Sequence, residues 1–112
     1  DVEKLLKAYV QASYKKTSAQ TIIKVVCEFY GITLNELLKK SRKTFLVKPR
    51  QIAMYLLRED TKASFPDIGS RLGGKDHSTV IHAYRKIIEE VENDENLKQE
   101  INLIRERIYN KA

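Results

Sequence analysis

Apolar residues along this chain recur three or four positions apart and almost never alternate as a half-buried strand requires. Val2, Leu5, Leu6, Tyr9 and Val10 make a first stripe, with Lys4 and Lys7 lying off it. Ile22, Ile23, Val26, Cys27 and Tyr30 make a second, and Ile52, Ala53, Leu56 and Leu57 a third. Val80, Ala83, Tyr84, Ile87 and Ile88 or Val91 follow, and Leu97, Ile101, Ile104 and Ile108 close the series. Each stripe covers one helix face, so each helix has one side to bury against its neighbours. The pattern predicts a compact all-α domain of six or seven helices, without strands, repeats or low-complexity tracts.

Punctuating residues place the boundaries. Thr17-Ser18-Ala19-Gln20 predicts a capping box, the Thr17 hydroxyl accepting from an amide three residues on while Gln20 reaches back. Gly31 stops that helix in a left-handed conformation. Thr33-Leu34-Asn35-Glu36 predicts a second box, opening a short helix that ends near Lys40. Pro49 predicts the first turn of the next helix, where a missing N–H costs nothing. Ser64-Phe65-Pro66-Asp67 opens a short helix over 65–72, with Ile68 and Leu72 inward, and Gly73-Gly74 ends it. Asp76 is expected to cap the following helix.

With 112 residues the chain has room for one small domain, and 42% hydrophobic residues suffice for a core. A lone Cys27 excludes an intramolecular disulfide and a cysteine-based zinc cluster, and fits a reducing compartment. No apolar run reaches the roughly 18 residues of a membrane span, and no signal peptide is visible. The chain begins at Asp1 rather than Met, and we expect it to be a piece of something longer.

The net charge of +6 makes a polyanionic partner reasonable, and its distribution is uneven. Residues 1–38 carry five cations and four acids, residues 39–88 twelve and four, and residues 89–112 four and seven. The densest stretch, Lys39 to Arg50, holds six cations and no acid. Alone, such a run fits a solvated surface as well as a segment that tracks a phosphate backbone.

Several catalytic and ligand-binding patterns are near misses. Gly69-Ser70-Arg71-Leu72-Gly73-Gly74-Lys75-Asp76 approaches a phosphate-binding P-loop, but Asp76 stands where a magnesium-holding Ser or Thr is needed, and no strand precedes it. His77 and His82 are five apart and point about 140° away from one another on a helix, unlike a zinc-binding pair. Cys27 lies on a buried stripe, which argues against a nucleophile. What does hold together is a short helix (65–72), a Gly-containing turn and a second helix from Asp76 or His77, which is a helix-turn-helix. In DNA-binding examples the second helix sets its first turn against base edges in the major groove. Here that turn is Lys75-Asp76-His77-Ser78-Thr79, all polar or charged. An ordinary αα-hairpin has the same geometry; with the charge of residues 39–88 the residues favour DNA.

The stretch Ile68-Gly69-Ser70-Arg71-Leu72-Gly73-Gly74-Lys75-Asp76-His77-Ser78-Thr79-Val80-Ile81-His82-Ala83 resembles the signature of one family, the C-terminal DNA-binding domain (domain IV) of bacterial chromosomal replication initiators of the DnaA type. That signature usually reads Gly-Gly-Arg-Asp-His-Thr-Thr-Val, then Leu or Ile and His-Ala. Pro49-Arg50-Gln51-Ile52-Ala53-Met54-Tyr55-Leu56 is similar to a second family segment at the expected distance. The likeness runs from about Thr17 to the end, so residues 17–112 would be the DNA-binding domain. Residues 1–16 would be a connector helix or the tail of a preceding ATPase domain.

The resemblance implies sequence-specific binding of double-stranded DNA at the DnaA boxes of a replication origin. It assigns base contacts to Arg42 in the minor groove and to Lys75, Asp76, His77 and Ser78 in the major groove. Backbone and close contacts fall to Lys43, Lys48, Arg50, Gln51, Arg58, Phe65, Pro66, Thr79, Ile81 and His82. Asp accepts from a cytosine amine, and Arg suits a narrow electronegative groove. Lys75 replaces the usual Arg and loses bidentate geometry, Ser78 replaces the usual Thr and loses a methyl, and Leu72 replaces a common Phe. The apolar Phe45, Leu46 and Val47 are expected to pack the basic segment down partly. No enzymatic activity, metal or cofactor is expected in this chain; ATP and magnesium would belong to the ATPase domain, as would self-assembly. A bacterial cytoplasmic location is implied. Residues 1–16, apolar on one face with Lys4, Lys7, Lys15 and Lys16, fit either an acidic phospholipid surface or docking on protein, the latter favoured. The acidic stretch Glu89 to Glu100 suits a protein-docking face or a merely solvated one.

Overall fold

The computed structural model describes residues 17–39 and 43–110. The connector helix expected over residues 1–16 and the minor-groove Arg42 both lie outside the described residues. Among those described there are six helices and no strand: α1 (Ala19–Tyr30), α2 (Leu34–Leu38), α3 (Thr44–Thr61), α4 (Phe65–Arg71), α5 (His77–Asn93) and α6 (Glu95–Asn110). The all-α expectation is met.

The helices are arranged around α3, which packs against α1, α2, α4 and α5, while α6 closes over α1 and α5. The central position shows in the burial: every residue from Ile52 to Leu57 is buried, where the stripe alone predicted four inward side chains. Leu97, Ile101, Ile104 and Ile108 are buried as expected, and Val25 joins the inner face of α1. Each such aliphatic side chain contributes about 1.5–3 kcal/mol on removal from water. A polar lock joins α6 to α3: Arg105 Nη2 meets Asp60 Oδ1 at 2.9 Å, and the Tyr109 hydroxyl donates to Asp60 Oδ2 at 2.6 Å.

The ends of the helices explain their lengths. Gly31 is left-handed (φ 65°), and the Ile32 amide donates back to the Cys27 carbonyl at 3.0 Å. The box at Thr33 is complete, the Glu36 amide donating to Thr33 Oγ1 (3.1 Å) and the Thr33 amide to Glu36 Oε1 (2.9 Å). The Thr33 amide holds the Glu36 carboxyl below its ordinary value. The box expected at Thr17 does not form. α1 begins one residue later, Ser18 Oγ accepts from the Thr21 amide at 3.2 Å, and Thr17 Oγ1 is left without a partner.

Pro49 does not start α3, contrary to expectation; the helix begins at Thr44. Burial of Leu46, 3% exposed, draws the preceding turn into the helix, while Phe45 stays 56% exposed. Pro49 thus lies inside the helix, where its missing N–H leaves the Phe45 carbonyl without an intrahelical donor. Lys48 and Arg50 of the basic run therefore lie in the first turns of α3.

Among the described residues no helix is long and apolar enough to cross a membrane.

Candidate nucleic-acid interface

α4 and α5 pack against one another across the turn Leu72–Asp76, and two glycines explain how that turn closes. The Lys75 amide donates to the Gly69 carbonyl at 2.8 Å, and a Cβ at Gly69 would come within 2.1 Å of the Lys75 carbonyl. Gly73 is left-handed (φ 85°), and a Cβ there would lie 2.3 Å from the Leu38 carbonyl. The turn is thus wedged between α4 and the end of α2. Ile68, Leu72 and Val80, all fully buried, hold it from beneath.

This wedge leaves the first turn of α5 facing outward. Asp76, His77, Ser78 and Thr79 are all exposed. Asp76 occupies the N-cap position, but its side chain makes no capping bond, which corrects the sequence expectation. Its carboxylate instead lies 3.4 Å from His77 Nδ1, with both side chains more than half exposed. The Asp76 carboxylate and the uncapped helix end, with its partial positive charge, are both turned to solvent.

Beside this turn runs a groove of about 530 Å³ between α3 and α5. Arg50 and Gln51 on one side and Thr79 and His82 on the other bring four of the expected backbone-contacting residues together with Lys75 and Asp76. Thr79 and His82 are exposed, and Gln51 and Ile81 are half-buried. Val47, Met54 and Ala83 give the groove an apolar lining. Sequence reading missed this part, because apolar residues at helical spacing carry no mark separating a groove wall from core.

Arg58 and Phe65 form a second group. The Arg58 guanidinium lies 4.4 Å from the Phe65 ring centre and donates to the Ala63 carbonyl at 3.0 Å. Pro66 is exposed beside them. Tyr84 packs on Phe65 and Tyr55, and its hydroxyl donates to Glu59 at 2.7 Å. Lys43, at the N-cap of α3, and Lys48 are both exposed, and Lys48 pairs with Glu100 at 3.1 Å. Glu100 also accepts from the Tyr30 hydroxyl, which reading the acidic stretch as a separate face did not anticipate.

Two expected DNA contacts are held differently from the expectation. Arg50 is only 7% exposed, and donates Nε to the Leu37 carbonyl and Nη2 to the Glu36 carbonyl, each at 2.8 Å. It thereby serves two carbonyls in the last turn of α2, and its burial lowers the guanidinium pKa. Lys75 Nζ turns the same way, donating to Leu38 O at 3.1 Å and Lys39 O at 3.4 Å, while Lys75 also lines the groove.

Gly69 is helical, with no strand before it among the described residues, and among those residues no three His, Cys, Asp or Glu side chains gather. Cys27 is buried, and that burial pushes its thiol pKa up.

The arrangement has close counterparts among known proteins. The family described as bacterial dnaA protein helix-turn-helix matches residues 19–87. The chromosomal replication initiator protein DnaA of Chloroflexus aggregans is 48% identical over 94 residues, which are 84% of this chain and 20% of that protein. Its counterpart from Thermomicrobium roseum is 39% identical over 111 residues, 99% of this chain and 24% of that one. A crystal structure of a DNA replication initiation factor superimposes with a TM-score of 0.73 at 28% identity, over 97% of this chain and 32% of the other. The chain therefore spans no more than a quarter of the length of these two curated relatives.

Proposed function

The chain belongs to the bacterial dnaA protein helix-turn-helix family, and from that premise we propose that it reads double-stranded DNA on behalf of a longer replication initiator. The observation that carries the reading is the exposed, uncapped first turn of α5 beside the groove that Gln51, Thr79 and His82 line. A convex helix end enters a major groove, and the concavity behind it accommodates one sugar-phosphate strand.

In this reading Asp76, His77 and Ser78 meet base edges. The Asp76 carboxylate accepts from a cytosine amine, and His77 and Ser78 each donate or accept according to the base opposite. Gln51, Thr79 and His82 hold the flanking phosphates and fix register without carrying sequence information. Arg42, whose minor-groove role comes from the resemblance, adds discrimination from the other groove. The targets are DnaA boxes at a chromosomal origin. The chain contributes binding rather than chemistry; ATP, magnesium and self-assembly belong to the remainder of the longer protein.

Competition of the purified chain against a randomised duplex pool tests this. Enrichment of one short motif supports the reading, and recovery of an unselected pool overturns it. Affinity for the enriched duplex should also fall with salt by roughly 0.9 log units per log unit for each phosphate neutralised.

A further inference from the structure

Lys62 ends α3 in a left-handed conformation (φ 60°, ψ 24°), its amide donating to the Arg58 carbonyl at 3.2 Å. Among the described residues it is the only one besides glycine with a positive φ. At the end of α1 the same stop is made by Gly31 (φ 65°, ψ 36°). A Cβ makes this conformation costly, whereas glycine takes it freely, so the backbone alone favours glycine at both places.

What the lysine adds is a charge, and the acids around it are engaged with other partners. Glu59 accepts from the Tyr84 hydroxyl at 2.7 Å, Asp60 holds Arg105 and Tyr109, and Asp67 pairs with Arg71 at 2.9 Å. Lys62 is exposed and enters no ion pair among the described residues. Arg58, one turn before it, lies against the Phe65 ring and donates to the Ala63 carbonyl, which ties the corner together.

The corner also continues the candidate interface. Val47, Gln51 and Met54 line the groove from α3. At 3.6 residues per turn Arg58 stands on that same face, and Lys62 lies just past its end, about 16 Å along the axis from Gln51. Two residues further on, Ser64 caps α4. α4 is the first helix of the helix-turn-helix, the one that crosses the sugar-phosphate backbone when the second enters the major groove. A lysine there presents a compact point charge on a flexible stem, suited to a phosphate oxygen.

We propose that Lys62 is a phosphate-binding residue: at the corner between α3 and α4 its ammonium holds one backbone phosphate of the duplex, and a side chain occupies a glycine-like position for that purpose. This rests on the DNA-reading function proposed above. The contact adds affinity without sequence information, and at this one residue binding and stability oppose each other.

The test uses the whole chain and three kinds of duplex: the selected motif, the same motif with single phosphates replaced in turn by uncharged methylphosphonates, and a scrambled duplex. Lys62→Gln keeps much of the stem and removes the charge. It should weaken the selected and scrambled duplexes alike, by about two- to fivefold, and flatten the slope of log affinity against log salt by about 0.9. At one position a methylphosphonate should weaken the wild type by a similar factor and cost Lys62→Gln nothing further. Lys62→Arg should restore affinity and slope. Lys62→Gly should bind as weakly as Lys62→Gln yet raise the urea midpoint by about 0.3–0.5 M, a combination that a merely structural lysine would not produce. The urea melts also show that each variant folds.

If Lys62→Gln binds and responds to salt as the wild type does, the proposal is wrong. If it binds more weakly but every methylphosphonate costs it what it costs the wild type, the charge acts only at a distance, with the same consequence. In both cases a wild type that prefers the selected duplex to the scrambled one leaves the DNA-reading function standing. A wild type that binds the two equally overturns that function and this proposal with it.

Discussion

The Lys75 amide donates to the Gly69 carbonyl at 2.8 Å, and the Lys75 carbonyl stands where a Cβ at Gly69 would be, 2.1 Å away. Helix α4 thus fixes the start of α5 through backbone alone, with no flexible side chain to give way. Gly69→Ala must push the turn outward, and we expect it to destabilise the chain by about 2–4 kcal/mol. A urea melt measures this, and a wild-type midpoint would show that the turn has slack the geometry does not suggest.

Arg50 and Gln51 are neighbours in sequence with separable duties. Replacing Arg50 by Met leaves the Glu36 and Leu37 carbonyls without their charged donor, and should cost about 2–4 kcal/mol of stability in the absence of DNA. Gln51→Ala should change stability by about 0.5 kcal/mol or less, yet weaken all duplexes alike. An Arg50→Met chain that melts as wild type but binds DNA poorly would return Arg50 to the phosphate-holding role the resemblance implied.

Alkaline pH should loosen the fold through its tyrosines. Burial, with the hydrogen bond to Glu59, pushes the Tyr84 phenol up to about 12. Burial and Glu100 raise Tyr30 further above the ordinary phenol range. An unfolded phenol ionises near pH 10, so this stabilisation is complete below about pH 10 and is lost as pH rises through the folded-state values. Stability measured from pH 8 to 11.5 should decline above pH 10, and less steeply in Tyr84→Phe. An identical decline in that variant would exclude Tyr84 as a contributor.

Most of the fold was legible because its helices announce themselves with apolar stripes and glycine stops. Gly31, the Thr33 box, and the inner faces of α5 and α6 needed only local rules. The start of α3 was not legible, because Pro49 is a favoured first-turn residue and a disfavoured interior one, and only the burial of Leu46 against other elements carries the helix through it. Within the candidate site, the outward polar turn Asp76–Thr79 could be read directly from the motif. The inward turn of Arg50 and Lys75 could not. Arg50 lies in the basic run and Lys75 beside the recognition turn, and both donate to carbonyls at the end of α2, visible only once α2 is placed beside them. The same holds for Lys48 and Glu100, fifty-two residues apart and in contact.

The central claim is that the first turn of α5 decides which DNA is bound, while the surrounding charge decides only that DNA is bound. The most direct measurement is the ratio of affinities for the selected duplex and a scrambled one, in wild type and in His77→Ala at fixed salt. His77 is exposed and lies outside the core, so the variant should fold normally. The account predicts that the ratio falls by about tenfold or more, from the loss of about 1–3 kcal/mol of base discrimination, while affinity for the scrambled duplex barely changes. An unchanged ratio would contradict the assignment of α5 as the reading helix.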